Sequence, residues 1–268
     1  MIIAAFAGWN DAAQSATDAL EVLLELWDAE EVAELNGDDY YDYQFNRPEV
    51  SIDIDGARHI EWPSTTVYRA NSQTIPGTNI VLVLGVEPSM KWKTFCQEIL
   101  KHTPTNVPTV LVTLGALLAD VPHTRPIPVN GTTANSELQE ITGFEVSRYE
   151  GPTGILGILQ TEAEAQGISG MSLWAAVPHY VAAPPCPKAT LALLRSIEDL
   201  LDVAIPIDDL VEDARAWQTG VEEMTSDDEE IADYVRNLEE SQDTAELPEA
   251  SGEAIAKEFE RYLRRREH

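Results

Sequence analysis

Four short apolar runs recur along the chain, and each leads into a segment with helical spacing. The runs cover residues 2–7, 79–85, 107–115 and 171–177. Continuous apolar segments of this length are typical of strands that are buried on both faces, because no polar position alternates with them. Their alternation with helices predicts an α/β protein with a largely parallel sheet and helices on both of its faces.

The first helix has the clearest pattern. Asp11 and Gln14 have the spacing of a helix-start signature. One apolar helical face then follows, formed by Ala12, Ala16, Leu20, Leu23 and Trp27. The same reasoning predicts helices over residues 89–102, 134–142 and 188–201, and another one after the glycines of residues 151–157.

Antiparallel strands are also predicted. The strongest hairpin signal is the pair Asp55-Gly56, with alternating positions on either side. Residues 65–70 extend this antiparallel region, so we expect a mixed sheet, and residues 31–35 form a further strand. Residues 120–133 are rich in Pro, Thr and Gly and are interpreted as a long connection, and "YYDYQFNRPEV" as an irregular loop.

The character of the chain changes after about residue 205. No strand pattern follows, and residues 208–253 contain 17 acidic and 2 basic side chains. Helical spacing persists through Ile231, Val235 and Leu238, and "EAIAKEFERYLRRR" predicts a closing helix with basic residues at its C-terminal end. We therefore expect an α/β domain over residues 1–205 and an acidic helical extension over residues 206–268.

Charge and composition narrow the possible partners. The formal net charge of −30 repels nucleic acids and anionic membranes, so neither is expected as a partner. The two cysteines define neither a disulfide framework nor a thiolate metal site. The chain shows no basic segment of a signal peptide and no apolar run of membrane-spanning length, which favours a soluble cytoplasmic protein.

Candidate chemistry is confined to the ends of the predicted strands. Gly8-Trp9-Asn10-Asp11 follows the first strand, Glu87 follows the second, and His179 follows the fourth. The carboxyl edge of a parallel sheet is where α/β proteins bind ligands, so Asn10, Asp11, Glu87 and His179 are candidate ligand-binding residues. The competing interpretation is structural, with Gly8 allowing a tight turn and Asn10 or Asp11 capping a helix.

Other signatures of enzymes are absent from the sequence. It contains no nucleotide-binding glycine loop, no nucleophile elbow and no spacing of histidines for a metal, so no catalytic residue, cofactor or metal is assigned. Gly151, Gly154 and Gly157 could cradle an anion at a helix start, but close packing of a helix on the sheet explains them equally well.

One stretch of the chain predicts an interface. "YYDYQF" and the hairpin with Trp62 are unusually apolar for so acidic a surface. Tyr and Trp favour interfaces because they bury large areas with little loss of entropy. We therefore expect a homo-oligomer, although cover for a sheet edge is the simpler alternative.

Five segments in order carry a family resemblance. They are "FAGWNDAA", "LVLGVEPSMKW", "GPTGILGIL", "SLWAAVPHYV" and "PPCPKATLALLRSIEDLL". Together they resemble the actinobacterial branch of the proteasome assembly chaperone family. The resemblance implies a three-layer α/β/α sandwich, similar to purine nucleoside phosphorylases. Eukaryotic members of this family are dimeric chaperones that bind proteasome α-subunits, and archaeal and bacterial members tend to form homo-oligomers. The resemblance implies no catalytic residues, and this chain ends in "LRRREH" instead of the hydrophobic-Tyr-x tail of some eukaryotic members.

The combined hypothesis is a non-enzymatic, homo-oligomeric protein-binding or assembly factor whose client is unknown. The alternative is a nucleoside-phosphorylase-like or hydrolase-like enzyme with its site at the strand ends. A structural oligomer whose tail recruits a partner is a third hypothesis.

Overall fold

A seven-stranded sheet forms the centre of the computed structural model, which describes residues 1–71, 79–104 and 107–246. The strands are β1 (Ile2–Ala7), β2 (Glu30–Leu35), β3 (Glu49–Ile52), β4 (Arg58–Glu61), β5 (Thr65–Arg69), β6 (Val81–Val86), β7 (Val110–Ala119), β8 (Val129–Thr133) and β9 (Ser169–Pro178). The helices are α1 (Ser15–Leu26), α2 (Gly37–Tyr40), α3 (Trp92–Leu100), α4 (Ser136–Thr142), α5 (Ile155–Ala165), α6 (Pro187–Leu201), α7 (Asp208–Ser226) and α8 (Glu229–Glu246).

The order of the strands in the sheet is β2-β5-β6-β1-β7-β9-β8. The four central strands are parallel, and they are the four apolar runs of the sequence. The outer strands β2, β5 and β8 are antiparallel to their neighbours. The predicted mixed sheet with a parallel centre is therefore confirmed.

Helices cover both faces of the sheet. Along β1, Ile3 and Ala5 belong to the core beneath α1 and α6, whereas Ala4 and Phe6 belong to the core beneath α3 and α5. This division follows from the two-residue period of a strand, which sends successive side chains to opposite faces. The architecture is the three-layer α/β/α sandwich that the family resemblance implied.

The hairpin around Asp55-Gly56 forms, but the prediction that it contributes strands to the main sheet is wrong. Strands β3 and β4 pair only with each other, with Val50 opposite Ile60, and make a separate two-stranded sheet. Each strand is only four residues long, and every residue of both is exposed. The hairpin therefore stands outside the core of the α/β layers.

Strand β8 lies inside the predicted long connection. Its sequence, Val129-Asn-Gly-Thr-Thr, does not alternate between apolar and polar residues. The reason is that β8 lies at the edge of the sheet. A Cβ on Gly131 would lie 2.3 Å from the Phe144 ring, so this ring occupies the space that a side chain would need. The position thus depends on a tertiary contact that the local pattern does not show.

The prediction that the stretch "YYDYQF" is exposed is wrong for its first two residues. Tyr40 packs edge-on against Phe95, with 5.2 Å between ring centroids, and both rings are buried. The Tyr41 hydroxyl lies 2.7 Å from Thr65 Oγ1 and donates to the Val86 carbonyl at 2.9 Å. Burial raises the pKa of Tyr41 to about 12. Phe45 is the exposed aromatic residue of this stretch.

The acidic segment after residue 207 forms two helices that pack onto the same chain. Helix α7 lies on α6 and buries Ala214 and Val221. Helix α8 contacts α7 and crosses the loop before β8, where the Arg125 guanidinium donates two 2.8 Å hydrogen bonds to the Asp243 carboxylate. Val235 of its apolar stripe is buried, whereas Ile231 is exposed. The predicted closing helix lies outside the described residues.

Within the described ranges, no helix combines the length and the apolar content that crossing a lipid bilayer requires.

Candidate functional site

The turn after β1 places Gly8, Trp9 and Asn10 at the carboxyl edge of the sheet. Gly8 has a φ of +129°, a conformation that side chains rarely adopt, and its carbonyl accepts a 3.2 Å hydrogen bond from the Asp11 amide. The Asn10 carbonyl accepts a 2.8 Å hydrogen bond from the Ala116 amide of β7, which fixes the turn to the neighbouring strand. The Trp9 ring is left 67% exposed.

Asp11 caps helix α1 from a distance. Its Oδ1 accepts hydrogen bonds from the amides of Ala16 (2.7 Å) and Thr17 (3.4 Å), and the Thr17 hydroxyl donates to Oδ2. The helix-start spacing of Asp11 and Gln14 does not make a capping box, because a 3-10 turn intervenes and Gln14 has a left-handed φ of +57°. Asp11 is buried, and burial raises the pKa of its carboxyl.

Removal of this cap gives a first testable prediction. Asp11→Ala leaves the Ala16 and Thr17 amides without their acceptor and should lower the free energy of unfolding by about 1 kcal/mol. Urea denaturation followed by circular dichroism measures the loss. Asp11→Asn retains one oxygen acceptor and should lose less; equal losses for the two variants would contradict the capping role.

Asn10 and Glu87 meet above helix α5. Glu87 Oε1 accepts a 2.8 Å hydrogen bond from Asn10 Nδ2 and another 2.8 Å hydrogen bond from the Ile155 amide in the first turn of α5. A Cβ on Gly154 would lie 2.1 Å from Asn10 Oδ1, so only glycine lets the helix approach this closely. The N-terminus of a helix attracts anions, and here the protein's own carboxylate takes that position.

His179 does not join this cluster. Its Nε2 lies 2.8 Å from the Tyr234 hydroxyl of α8 and 3.3 Å from Asp120 Oδ1. The register explains the separation: Ala116, which binds Asn10, pairs with Ala175, four residues before His179. At about 3.3 Å per residue, His179 stands roughly 13 Å further along the strand direction.

The four candidate residues therefore lie in three environments. Asn10 and Glu87 bind each other and α5, Asp11 caps α1, and His179 contacts α8. The sequence analysis did not single out the Ile155 amide. A backbone donor leaves no side-chain pattern in the sequence, and only the glycines before Ile155 pointed to this helix start. Among the described residues, no group of three His, Cys, Asp or Glu side chains is placed to hold a metal ion.

Two grooves of the described structure lie along α6 and α7, and the Asn10–Glu87 pair lines neither of them. The smaller groove has a volume of about 410 Å³ and is lined by Asp18 of α1, by Asp213 and Trp217 of α7, and by Pro185 and Pro187 at the start of α6. Burial, and then the negative charges of Glu21 and Asp11, raise the pKa of Asp18 to about 6. The folded protein thus disfavours the ionised form of this carboxyl.

The raised pKa of Asp18 predicts a pH-dependent stability. Above pH 6 the folded chain carries an unfavourable charge that the unfolded chain, with a pKa near 3.8, accommodates in water. Asp18→Asn should therefore raise the free energy of unfolding by about 1 kcal/mol at pH 7.5, a value reduced for the solvent that reaches this half-buried side chain. The gain should disappear as the pH falls from 7 to 4.

Urea midpoints of the wild type and Asp18→Asn at pH 7.5 and pH 4.5 test this prediction. Glu25→Gln, which replaces an exposed carboxyl of the same helix, is the matched control. A gain from Asp18→Asn that is equal at both pH values would show that burial does not raise the pKa of Asp18.

The fold is that of an α/β protein in which Asn10 and Glu87, at the carboxyl edge of the sheet, hydrogen-bond to each other and to the first turn of α5. The chain belongs to the PAC2 family, whose model matches residues 5–225. The matched region therefore includes the end of β1, strands β2 to β9, helices α1 to α6 and nearly all of α7.

Solved structures extend the comparison. The PAC2 family protein of Streptomyces avermitilis is 49% identical, with a TM-score of 0.77 over 87% of this chain and 98% of that one. The proteasome-assembly chaperone homologue of Mycobacterium tuberculosis is 44% identical, with a TM-score of 0.78 over 87% and 99%. PbaB of Pyrococcus furiosus, an archaeal proteasome activator, is 18% identical with a TM-score of 0.65 over 83% and 92%, and shares the fold. No curated protein is detectably similar to the chain.

Proposed function

We propose that this protein is a non-enzymatic assembly factor that acts as a homo-oligomer and binds protein clients in the cytoplasm. The observation that carries the proposal is the apolar face of the exposed β3–β4 hairpin. The closed Asn10–Glu87 cluster supports a binding role over catalysis, because its hydrogen-bonding groups already satisfy one another. The two buried cysteines are unpaired in the described structure, which is usual in a reducing compartment.

The hairpin is amphipathic although both of its faces are exposed. Val50 and Ile60 are opposite one another, and Ile52 lies two residues further on the same face. The other face is polar: Ser51 Oγ donates a 2.9 Å hydrogen bond to Glu61. A two-stranded hairpin is only marginally stable in water by itself, so an apolar face of this kind is best stabilised by a partner.

Aromatic residues continue the apolar face at the base of the hairpin. Trp62 follows two residues after Ile60 and packs edge-on against Tyr43, with 4.8 Å between ring centroids. Phe45 is 85% exposed and Trp62 is 55% exposed. Exposed Trp and Phe side chains on an acidic surface are typical of a protein interface, where aromatic residues are enriched.

The family supports the same conclusion about the kind of partner. A relative that is 44% identical over 87% of the chain is a proteasome-assembly chaperone homologue, so we propose proteasome subunits as the first clients to test. The boundary between an α/β domain ending near residue 205 and a helical extension belongs to this proposal, with α8 presenting its acidic residues to the client.

The oligomeric state tests the hairpin directly. Multi-angle light scattering at micromolar concentration should give a mass above that of the 29.5 kDa subunit. The double variant Ile52→Ser/Ile60→Ser should shift the mass to one subunit, because it removes apolar area from the proposed interface. His59→Gln changes the polar face of the same hairpin and should leave the mass unchanged.

A wild-type protein that is monomeric at this concentration contradicts the homo-oligomer. For the client, co-expression with proteasome α- and β-subunits of the same organism should change the yield of assembled particles. An unchanged yield, together with turnover of a nucleoside and phosphate by the purified protein, would favour the enzyme instead.

A further inference from the structure

The smaller groove lies where α1, the start of α6 and α7 meet. Its volume of about 410 Å³ is within the range of sites that bind small organic molecules. Helix α1 lines it with Asp18 and Val22, which are four residues apart and therefore lie on one side of the helix. Helix α7 lines it with Leu210, Asp213 and Trp217, whose spacing of three and four residues has the same result.

The polar chemistry of the smaller groove is acidic. Two carboxyls, those of Asp18 and Asp213, belong to its lining, and none of the residues that line it is basic. Neither carboxyl forms a salt bridge or a hydrogen bond with the described residues. Lys188 of α6 is directed elsewhere, because its ammonium donates to the His123 carbonyl and to Gln218 Oε1. Both carboxyls are therefore available to a ligand.

The rest of the lining provides an apolar surface and one aromatic ring. Trp217 lies one helical turn after Asp213, and the face of an indole ring attracts organic cations. The Thr190 hydroxyl already donates to the Cys186 carbonyl at 3.3 Å. The remaining walls are formed by the side chains of Val22, Pro185, Pro187 and Leu210.

Asp18 differs from Asp11, the other carboxyl near the start of α1. The Asp11 carboxylate accepts hydrogen bonds from the Ala16 and Thr17 amides, so it has a structural role. Asp18 lies in the first turn of the same helix and is half-buried without such a donor among the described residues. Burial, and then the negative charges of Glu21 and Asp11, raise the pKa of Asp18 to about 6. A desolvated carboxyl in a cleft is typical of a functional site, and a cation beside it would offset both effects.

We propose that the smaller groove binds a small organic cation, with an ammonium group held by Asp18 and Asp213 beside the Trp217 ring and an apolar body packed on the groove walls. The formal net charge of −30 supports this class of ligand, because an acidic protein raises the local concentration of cations. The site uses none of the residues of the hairpin surface proposed above, and its test does not depend on the oligomeric state.

Isothermal titration calorimetry of the full-length protein with 2-phenylethylamine at pH 7.5 tests the site. Asp18→Asn should bind this amine at least about tenfold more weakly, as expected for the loss of a charge-assisted hydrogen bond. Glu25→Gln removes the same charge from an exposed position of α1 outside the groove, and it should change the affinity less than about twofold. The urea midpoints described above check that both variants are folded.

Two analogues test the chemistry of the ligand. 2-Phenylethanol has the same body with a hydroxyl in place of the ammonium, and methylammonium retains the charge without the body. Each should bind the wild type at least about tenfold more weakly than 2-phenylethylamine, because one loses the charge-assisted contacts and the other the apolar burial.

Asp213→Asn tests the opposite wall of the groove. It should weaken the binding of 2-phenylethylamine at least about threefold, which is less than the effect of Asp18→Asn because Asp213 is exposed. Glu212→Gln, at the neighbouring position that does not line the groove, is its matched control and should change the affinity less than about twofold.

Four results would overturn the proposal. The first is a wild-type protein that does not bind 2-phenylethylamine measurably, and the second is equal binding of this amine and 2-phenylethanol. The third is an equal affinity of the wild type and the folded Asp18→Asn variant for the amine. The fourth is an equal loss of affinity in Asp18→Asn and Glu25→Gln, because the amine would then respond only to the net charge of the protein.

Discussion

Replacing Gly8 with valine is expected to lower the free energy of unfolding by about 3 kcal/mol and the midpoint of thermal unfolding by about 10 °C. Two effects add up. The φ of +129° is unfavourable for any residue with a Cβ, and a branched side chain makes it worse. The new Cβ would also stand 3.3 Å from Glu87 Cβ, so it pushes against the residue that holds α5.

Thermal and urea unfolding followed by circular dichroism measure the loss. Gly167→Val is the matched control: its φ is also positive, at +78°, but a Cβ there meets no atom within 4 Å. The difference between the two variants therefore reports the more extreme φ of Gly8 together with its close approach to Glu87. A Gly8→Val protein that unfolds like the wild type would contradict the turn geometry.

Glu87→Ala is expected to lower the free energy of unfolding by about 2 kcal/mol, because it removes the acceptor for two hydrogen bonds at once. Asn10 is only 1% exposed, so its amide cannot turn to water, and the first turn of α5 loses the carboxylate at its N-terminus. Glu87→Gln retains an acceptor oxygen of the same reach and should lose about half as much.

The comparison of these two variants separates a structural role from a catalytic one. A carboxylate that acts as a general base is lost equally in Glu87→Ala and Glu87→Gln, so any phosphorolytic or hydrolytic activity would disappear in both. A structural role predicts graded stabilities and no activity to lose. Turnover that depends on Glu87 while the fold is unchanged would overturn the non-enzymatic proposal.

Much of the fold was readable from local patterns. Strands β1, β6, β7 and β9 are continuous apolar runs because helices cover both of their faces. Burial of both faces requires apolar residues at successive positions, so these strands are visible in the local sequence. Helices α1 and α6 were readable because one face of each must be apolar. Strand β8 was not predicted, because an edge strand needs neither a continuous apolar run nor one fully apolar face.

The candidate site was only partly readable. Strand order places Asn10 and Glu87 side by side, and their positions at the ends of β1 and β6 were visible in the sequence. The prediction that His179 joins this cluster assumes that neighbouring parallel strands end at the same height in the sheet. Strands β7 and β9 instead extend beyond the end of β1. How far a strand extends depends on its pairing partner, which local sequence does not specify.

The sequence by itself determined the layers of this protein, its acidic surface and its family. The spacing of apolar residues, the charge and the order of the motifs can all be read along the chain without knowledge of its tertiary contacts. The tertiary structure alone decided three other features. It buried Tyr40 and Tyr41 while leaving Phe45 exposed, it separated the β3–β4 hairpin from the main sheet, and it held His179 apart from Asn10 and Glu87. Each depends on which distant segments come into contact, and the free energy of such contacts is set by packing across the fold and not by the neighbours of a residue along the chain.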